Sequence, residues 1–240
     1  MKRRDADFSG FLGETFAILR DAAPWVAGYV LALTVLNSIP ALAFGVTQSE
    51  YAVSWGFRID SNIINHGVIA VLAMLAIGIV VFVLQYLFFA HILAHRGFSN
   101  GRNRFLGFLG FSILSGLGIA LGFLLLVIPG IILLVRWIAA SAFIVGTDTK
   151  IMDAFGRSWD LTRGKGWPIF FAAVVLGISI TVVFGVIAIP ATALLGSTSA
   201  GATVVEVLGQ NLYSAIFVAF STGVFYLLND NTEAVSEVFE

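Results

Sequence analysis

The run FLGFLGFSILSGLGIALGFLLLVIPGIILLVRWIAASAFIVGT, residues 105–147, is almost uncharged, and Arg136 is its single ionisable side chain. Pro129 and Gly130 divide the run into two apolar segments. About 20 apolar residues suffice to cross the hydrocarbon core of a bilayer as an α-helix, whose backbone polar groups are hydrogen-bonded internally. We therefore predict two antiparallel transmembrane helices joined at Pro129-Gly130, with Gly130 free to adopt the positive φ of a tight turn.

The composition of the whole chain extends this prediction to an integral membrane protein. Hydrophobic residues make up 59% and charged residues 11% of the 240 residues, whereas soluble proteins average about 25% charged residues. We predict an all-α, polytopic helix bundle in one membrane domain, residues 1–240, with about six spans in three hairpins. The predicted spans are 24–46, 66–94, 105–128, 131–147, 168–195 and 206–228.

Lys and Arg lie almost entirely on one side of this six-span arrangement. Arg58 is the exception, and Arg136 lies within a span. Because positively charged loops resist translocation, this asymmetry predicts that both termini are cytoplasmic. The expected location is the inner, or plasma, membrane of the cell.

Two shorter segments, residues 8–20 and 150–163, have helical periodicity but not the length of a span. Their apolar side chains recur every three or four residues, as on one face of an amphipathic helix. These side chains are Phe8, Leu12, Phe16 and Leu19 in the first segment and Met152, Phe155 and Trp159 in the second. We predict two helices that lie on the membrane surface, the alternative being that each only leads into the following span.

An internal repeat relates parts of the chain. Residues 13–20 (GETFAILR) and 156–163 (GRSWDLTR) share glycine, hydroxyl, aromatic, aliphatic and arginine positions. The three outward-running spans also end in Ile-Pro and a small residue, at 39–41, 128–130 and 189–191. These similarities predict three tandem helical hairpins related by an axis along the membrane normal, an arrangement that occurs in membrane transporters. Chance recurrence of short apolar patterns is the alternative.

Arg136 is the most informative charged residue, because a charge within a span is costly and is often functional. It can snorkel to the outer headgroups or bond carbonyls freed at the Pro129-Gly130 turn, and both of these roles are structural. It can instead pair with Glu206, which is predicted to lie near the same depth, or contact a lipid phosphate.

Side chains suited to catalysis are sparse. The chain has no Cys, and His91 and His95, although at ligand-compatible spacing, have no acidic residue beside them. Glycine-rich phosphate loops, nucleophile elbows and zinc-protease signatures are missing from the sequence. We therefore predict no enzyme, no cofactor and no metal site, with an intramembrane hydrolase as a remote exception. The net charge of -1 argues against nucleic acid as a partner.

Residues 124–167, LLLVIPGIILLVRWIAASAFIVGTDTKIMDAFGRSWDLTRGKGW, resemble the membrane domain of the glycerophosphoryl diester phosphodiesterase type and related uncharacterised bacterial integral membrane proteins. The matching features are Ile-Pro-Gly at 128–130, Arg136, Ala154, Ser158-Trp159 and Thr162 before a basic stretch. The resemblance covers about a fifth of the chain and implies a six-helix module that anchors or accompanies catalytic domains. In those phosphodiesterases the catalytic barrel is a separate soluble domain, which we expect to be absent here, so no catalytic residue carries over.

Two functions fit such a chain. The first is a non-enzymatic membrane module that scaffolds a membrane-associated protein partner or interacts with lipids. The alternative is a small-solute or anion transporter or channel, which the repeat and the charge of Arg136 would suit. Coupled transport usually needs acidic groups near the midplane, and the predicted spans hold none there. For either function the candidate structural or lipid-contact residues are Pro129, Gly130, Arg136, Trp159 and Arg163.

Overall fold

A computed structural model of the chain describes residues 5–44, 68–99, 101–147, 149–196 and 199–239. The regular secondary structure of these residues is entirely helical, which confirms the predicted all-α class. The helices are α1 (Phe8–Asp21), α2 (Ala23–Phe44), α3 (Val68–His95), α4 (Phe105–Leu125), α5 (Val127–Arg136), α6 (Ala140–Gly146), α7 (Ile151–Leu161), α8 (Gly166–Leu195) and α9 (Ala200–Phe239).

Six segments of these helices are long and apolar enough to cross a membrane, in agreement with the six predicted spans. They are Ala23–Pro40, Val71–His95, Phe105–Leu125, Val127–Gly146, Gly166–Leu195 and Ala200–Asn229. The fourth of these segments is built from two helices, α5 and α6, and not from one. The predicted end of the first span at residue 46, the predicted start of the second at residue 66, and Arg58 lie outside the described residues.

The chain divides into two compact units. The first unit comprises Met1–Ala23, Phe88–Ile178 and Ile216–Glu240, and therefore includes α1 and all of α4 to α7. The second unit comprises Pro24–Leu87 and Ser179–Ala215.

Polar side chains join α2 to α9 in the second unit. The Asn37 side-chain amide donates to Asn211 Oδ1 at 3.0 Å, and the Asn211 amide donates to Thr34 Oγ1 at 3.3 Å. Nearby, the hydroxyls of Tyr29 and Ser214 are 3.2 Å apart. Hydrogen bonds of this kind hold helices together where lipid provides no hydrophobic driving force, so these contacts account for the pairing of the two spans.

The turn between α4 and α5 lies at Leu126 and not at Pro129-Gly130, so the predicted position of the turn is wrong. Leu126 is extended, with φ -162° and ψ 149°, and Pro129 and Gly130 lie in the first turn of α5. Proline is tolerated there because the N–H groups of the first turn have no partner within the helix. Gly130 does not have the positive φ that we predicted.

Close packing of α4 on α5 explains the glycine at position 130. A Cβ atom added to Gly130 would lie 2.5 Å from Phe123 Cγ, and one added to Gly122 would lie 2.9 Å from the Gly130 Cα. The two backbones therefore approach closely only because neither position carries a side chain. A Cβ at Gly118 would likewise lie 2.7 Å from the Trp137 ring. The glycines of α4 thus form the surface on which the fourth span packs.

The two predicted surface segments both form helices, α1 and α7, but their faces are used differently from the prediction. On α1 the predicted apolar stripe is exposed or half-buried, and the opposite face, which includes Phe11 and Glu14, is buried in the first unit. On α7 the predicted apolar stripe is divided, because Phe155 packs inward while Met152 and Trp159 are exposed. Packing thus follows the small residues of α7, which periodicity of large apolar residues does not reveal.

Candidate functional site

The candidate site lies at a break in the fourth span, which we call the Arg136 junction: Arg136, residues 137–139, and the side chains of α7 and the α7–α8 loop that border them. Helix α5 ends at Arg136 and α6 begins at Ala140. A helix end leaves carbonyl groups without intrahelical partners, and inside a membrane such groups must be satisfied by other means. The contacts of the junction show how this is done.

Two serine hydroxyls donate hydrogen bonds to carbonyl groups at the break. Ser158 Oγ, on α7, donates to the Arg136 carbonyl oxygen at 2.7 Å. Ser221 Oγ, on α9, donates to the Ile138 carbonyl oxygen at 2.6 Å and lies 3.5 Å from Ser141 Oγ. The carbonyls freed by the break are therefore bonded to side chains of two other helices.

Small residues on one face of α7 allow it to approach the break. Ala154, Ser158 and Thr162 are spaced by four residues, and all three are fully buried. Thr162 Oγ1 donates to the Ser158 carbonyl oxygen at 2.9 Å, so its polar group is satisfied within α7. The Thr162 hydroxyl, at the residue directly after α7, also accepts a hydrogen bond from Arg136. Ser158 and Thr162 on this side of α7 therefore both bond the junction.

Aromatic rings fill the space beside this contact. The Phe155 ring centroid lies 4.6 Å from that of Trp137 and 5.1 Å from that of Phe111. Ile151 packs against Gly110, where an added Cβ would lie 2.8 Å from Ile151 Cδ1. Helix α7 is thus packed against α4 as well as against the broken span.

The Arg136 guanidinium is half-buried and contacts α7. Its Nη1 donates to Thr162 Oγ1 at 3.5 Å, and its Cζ lies 5.3 Å from the centroid of the Trp159 ring. Within the first unit, no carboxylate of the described residues forms an ion pair with it. These contacts replace the predicted bonding to carbonyls of the α4–α5 turn, which lies at the other end of α5, about 15 Å away at 1.5 Å per residue. The predicted pairing with Glu206 would join the two units and stays a prediction.

The loop between α7 and α8 carries two more cations. Arg163 and Lys165 are exposed, and Gly164 between them has φ +77°, a conformation that favours glycine. The loop begins at Thr162, beside Arg136, and ends at Gly166, where an added Cβ would lie 3.9 Å from Val135. Both ends of this basic loop therefore lie against the last turn of α5.

The predicted candidate residues fall into two groups. Arg136 and Trp159 are in contact, and Arg163 lies on the adjoining loop. Pro129 and Gly130 lie at the opposite end of α5, where they shape the hairpin with α4. Sequence patterns did not single out Ser158 and Thr162 as partners of Arg136, although their four-residue spacing from Ala154 is a usable signal.

A second arginine, Arg96, lies in an ionic cluster that the sequence did not reveal. Its Nη2 lies 3.1 Å from Glu14 Oε1 and 3.2 Å from Asp21 Oδ2, and its Cζ lies 5.8 Å from the centroid of the Tyr226 ring. The cluster connects α1 to the end of α3 and to α9. The side chains of Arg96 and Glu14 are only 15% and 7% exposed.

The two histidines that have ligand-compatible spacing are stacked. The ring centroids of His91 and His95 are 5.7 Å apart, with an interplanar angle of 23°. Within the part of the chain that the structure describes, no three His, Cys, Asp or Glu side chains are grouped so that they could hold a metal ion.

Residues 104–228 match the sequence profile of a family described as Domain of unknown function (DUF7847). Because this match covers just over half of the chain, the chain belongs to that family. The matched region includes α4 to α8, and with them the whole Arg136 junction. No curated protein and no solved structure matches the chain.

Proposed function

We propose that this member of the DUF7847 family is a non-enzymatic integral membrane module that interacts with lipids and, through them or directly, scaffolds a membrane-associated protein. The proposed location is the plasma membrane with both termini in the cytoplasm. The Arg163–Lys165 loop, which borders the Arg136 junction, then lies on the cytoplasmic side.

The observation that carries this proposal is the bonding of the broken span. In transporters with broken helices, the unwound carbonyls and helix ends coordinate the transported ion or substrate. Here the carbonyls of Arg136 and Ile138 accept hydrogen bonds from Ser158 and Ser221 instead. A break whose acceptors are already occupied supports a fixed joint between α5 and α6, as a scaffold requires, better than it supports a substrate path.

The surface next to the junction supports a role in lipid contact. Trp159 is 40% exposed and Trp167, in the first turn of α8, is 72% exposed. Tryptophan is enriched at the headgroup level of membranes, and Lys and Arg are enriched on the cytoplasmic side. Exposed Arg163 and Lys165 lie between these two tryptophans in the sequence. The combination fits a surface that faces the cytoplasmic headgroups.

The resemblance of residues 124–167 to the glycerophosphoryl diester phosphodiesterase type of membrane domain supports the scaffolding part of the proposal. That stretch contains the break, α7 and the basic loop. By analogy with those membrane domains, the module would accompany a catalytic domain. The partner is then a membrane-associated protein whose membrane contact this module supplies.

A small-solute or anion transporter is the second candidate, and one observation favours it. Arg136 is a half-buried cation beside a broken span, and within its unit no described carboxylate neutralises it. An arginine in this situation can act as an anion contact along a path. The two candidates differ in whether an anion moves past Arg136 or stays there.

Flux through reconstituted protein separates the two candidates. We expect proteoliposomes containing the full chain to release chloride, phosphate or glycerol 3-phosphate no faster than protein-free liposomes of the same lipid. The retained lipid, measured after extraction of the protein with its native membrane, should be enriched in anionic species. Solute movement that disappears in Arg136→Gln would contradict the proposed module and support the transporter.

Labelling of introduced cysteines tests the proposed orientation, and the native chain has no Cys to interfere. We expect an impermeant thiol reagent to label Ser61→Cys in intact cells and to leave Asn100→Cys unlabelled until the cells are opened. The reverse pattern would place the basic loops outside the cytoplasm and would contradict the proposal.

A further inference from the structure

We propose that the Arg136 junction binds the phosphodiester of an anionic phospholipid headgroup. The inference rests on the lipid-interacting function proposed above and assigns that function to Arg136, Trp159 and the Arg163–Lys165 loop. Four observations carry it: the Arg136 donors that no described residue of its unit bonds, the contact of Arg136 with Trp159, the two cations on the loop, and the exposed aromatic surface beside them.

The guanidinium of Arg136 has more donors than the described residues of the first unit satisfy. Arginine offers five N–H donors, and the structure gives this guanidinium one hydrogen bond, to Thr162 Oγ1 at 3.5 Å, at the long limit for such a bond. The Thr162 hydroxyl directs its single proton to the carbonyls of Ser158 and Trp159 and therefore meets Arg136 only as a neutral acceptor. Partial burial of a cation without an anion is unfavourable. The site therefore lacks a negatively charged acceptor.

The contact with Trp159 places the Arg136 Cζ atom over the indole ring, 5.3 Å from its centroid, and this ring offers no oxygen acceptor to the guanidinium. A cation–π contact uses one face of the planar group, whereas hydrogen bonds are donated in its plane. Trp159 thus holds Arg136 in place without occupying its donors. Paired N–H groups in this geometry match two oxygens of a phosphate, which is the acceptor that arginine binds in bidentate fashion.

The two loop cations favour a headgroup with net negative charge. Arg163 and Lys165 are exposed, and the structure records no ion pair for either within the first unit. Together with Arg136 they place three positive charges around one short loop. A phosphodiester in an anionic lipid is attracted by all three, whereas the ammonium group of a zwitterionic lipid is repelled by the outer two. We therefore expect preference for phosphatidylglycerol over phosphatidylcholine.

The exposed aromatic surface identifies a lipid, and not free phosphate, as the source of the phosphodiester. Trp167 stacks on Phe171 with ring centroids 5.7 Å apart, and both side chains are exposed. Rings of this kind lie at the boundary between headgroups and acyl chains. A bound lipid would place its phosphate at Arg136 and its glycerol and acyl carbons along this surface.

The test measures binding of phosphatidylglycerol, phosphatidylcholine and inorganic phosphate to the full chain in a neutral detergent, by native mass spectrometry for the lipids and titration calorimetry for phosphate. We expect Arg136→Gln to lower the affinity for phosphatidylglycerol about tenfold or more, the loss typical of a charge-assisted hydrogen-bonded pair. Arg157→Gln is the matched control, because Arg157 is an exposed cation on α7 that bonds Thr149. It should retain the native affinity.

A second variant keeps the test valid if Arg136→Gln does not fold. The double substitution Arg163→Gln and Lys165→Gln removes only exposed side chains, so the fold should persist. We expect it to reduce the preference for phosphatidylglycerol over phosphatidylcholine severalfold, because the outer charges are lost.

The possible results distinguish failure of the Arg136 lipid site from failure of the proposed membrane module. An equal loss in Arg157→Gln, no preference for phosphatidylglycerol in the native chain, or binding of inorganic phosphate without lipid would overturn the Arg136 site. If anionic lipid is still enriched around the native chain and no solute moves, the module itself survives that result. Solute flux through the chain would overturn the module, whatever happens at Arg136.

Discussion

Arg96 and Arg136 are both half-buried arginines of the first unit, and they differ in what surrounds them. Arg96 lies 3.1 Å from Glu14 and 3.2 Å from Asp21 and stacks on Tyr226. The Arg136 Cζ atom lies over the Trp159 ring, and the hydrogen-bond partner of its guanidinium among the described residues of the first unit is the Thr162 hydroxyl. Two carboxylates neutralise the guanidinium of Arg96, whereas no described carboxylate of the first unit pairs with that of Arg136.

This difference in surroundings indicates that Arg96 has a structural role and makes Arg136 the candidate for binding a ligand. The carboxylates on α1 hold Arg96, so removal of Arg96 should loosen the attachment of α1. The backbone at Arg136 is held by the Ser158 hydroxyl, independently of the guanidinium. Removal of the Arg136 side chain should therefore leave the junction intact and change what binds there. Stability measurements on matched variants test each half of this comparison.

The largest effect is expected for Arg96→Gln. This change takes a cation away from two carboxylates, one of them on a side chain that is only 7% exposed. Breaking a buried ion pair typically costs about 3 to 5 kcal/mol, and we expect a loss toward the lower end because Arg96 itself is partly accessible. Thermal unfolding in detergent measures the loss. Arg157→Gln, which removes an exposed cation, should unfold close to the native temperature.

A result in which both arginine variants unfold alike would remove the distinction between Arg96 and an ordinary surface charge. Proteolysis of the N-terminal segment gives a second reading, since α1 should become more accessible to protease in Arg96→Gln and not in Arg157→Gln.

A smaller loss of stability is expected when the contact between α4 and α5 is disturbed. This contact positions α5, and with it Arg136, by packing alone. In Gly122→Ala the new Cβ would lie 2.9 Å from the Gly130 backbone, which cannot move as a side chain can. Overpacking of this kind costs about 1 to 3 kcal/mol. Gly116→Ala on the same helix is the control, because nothing lies within 4 Å of its Cβ. That variant should be neutral or slightly stabilised, and equal destabilisation of both would refute the packing explanation.

The sequence predicts the helical membrane class, because it follows from local composition, and it singles out Arg136 as a candidate because a charge within a span is rare. It does not predict the break at residues 137–139, which contains neither proline nor glycine. The break depends on Ser158 and Ser221, whose hydroxyls bond carbonyls 22 and 83 residues away in the chain. At Pro129-Gly130, by contrast, the sequence predicts a turn that the structure does not have there. This pair is the stronger turn signal, yet the turn is at Leu126, since proline fits the first turn of α5 and Gly130 is needed for packing.

Loss of the Ser158 hydroxyl is expected to cost about 1 kcal/mol, because the Arg136 carbonyl would lose its 2.7 Å bond to α7. Ser112→Ala is the control, since the Ser112 hydroxyl bonds the Phe108 carbonyl of its own helix, which has a backbone partner as well. We expect Ser158→Ala to unfold at lower temperature than Ser112→Ala. If the two variants are equally stable, the bonded break is not what holds α5 to α7.

Arg136→Gln should change stability less than any of these substitutions. Its guanidinium contributes one cation–π contact, worth about 0.5 to 1 kcal/mol when partly exposed, and a favourable position at the C-terminus of α5. We expect a loss of about 1 kcal/mol or less by thermal unfolding without added lipid. A loss as large as that in Arg96→Gln would mean that Arg136 is structural, and would contradict the central comparison between the two arginines.

The smallest effect concerns Asp7, an exposed carboxylate that contrasts with the buried Glu14 on the same helix. Asp7 caps α1 through a hydrogen bond from the Gly10 N–H at 2.7 Å. That bond, together with one from the Ser9 hydroxyl, lowers the pKa of Asp7 below its ordinary value. A lowered pKa means that the capping stabilisation is present at neutral pH and is lost as the pH falls through the folded-state pKa. Hydrogen exchange at Gly10, corrected for the intrinsic rate, should lose protection only under these acidic conditions. Asp7→Asn supplies an acceptor that does not titrate, so its Gly10 protection should be independent of pH. The same pH dependence in Asp7→Asn would assign the effect to another group of α1.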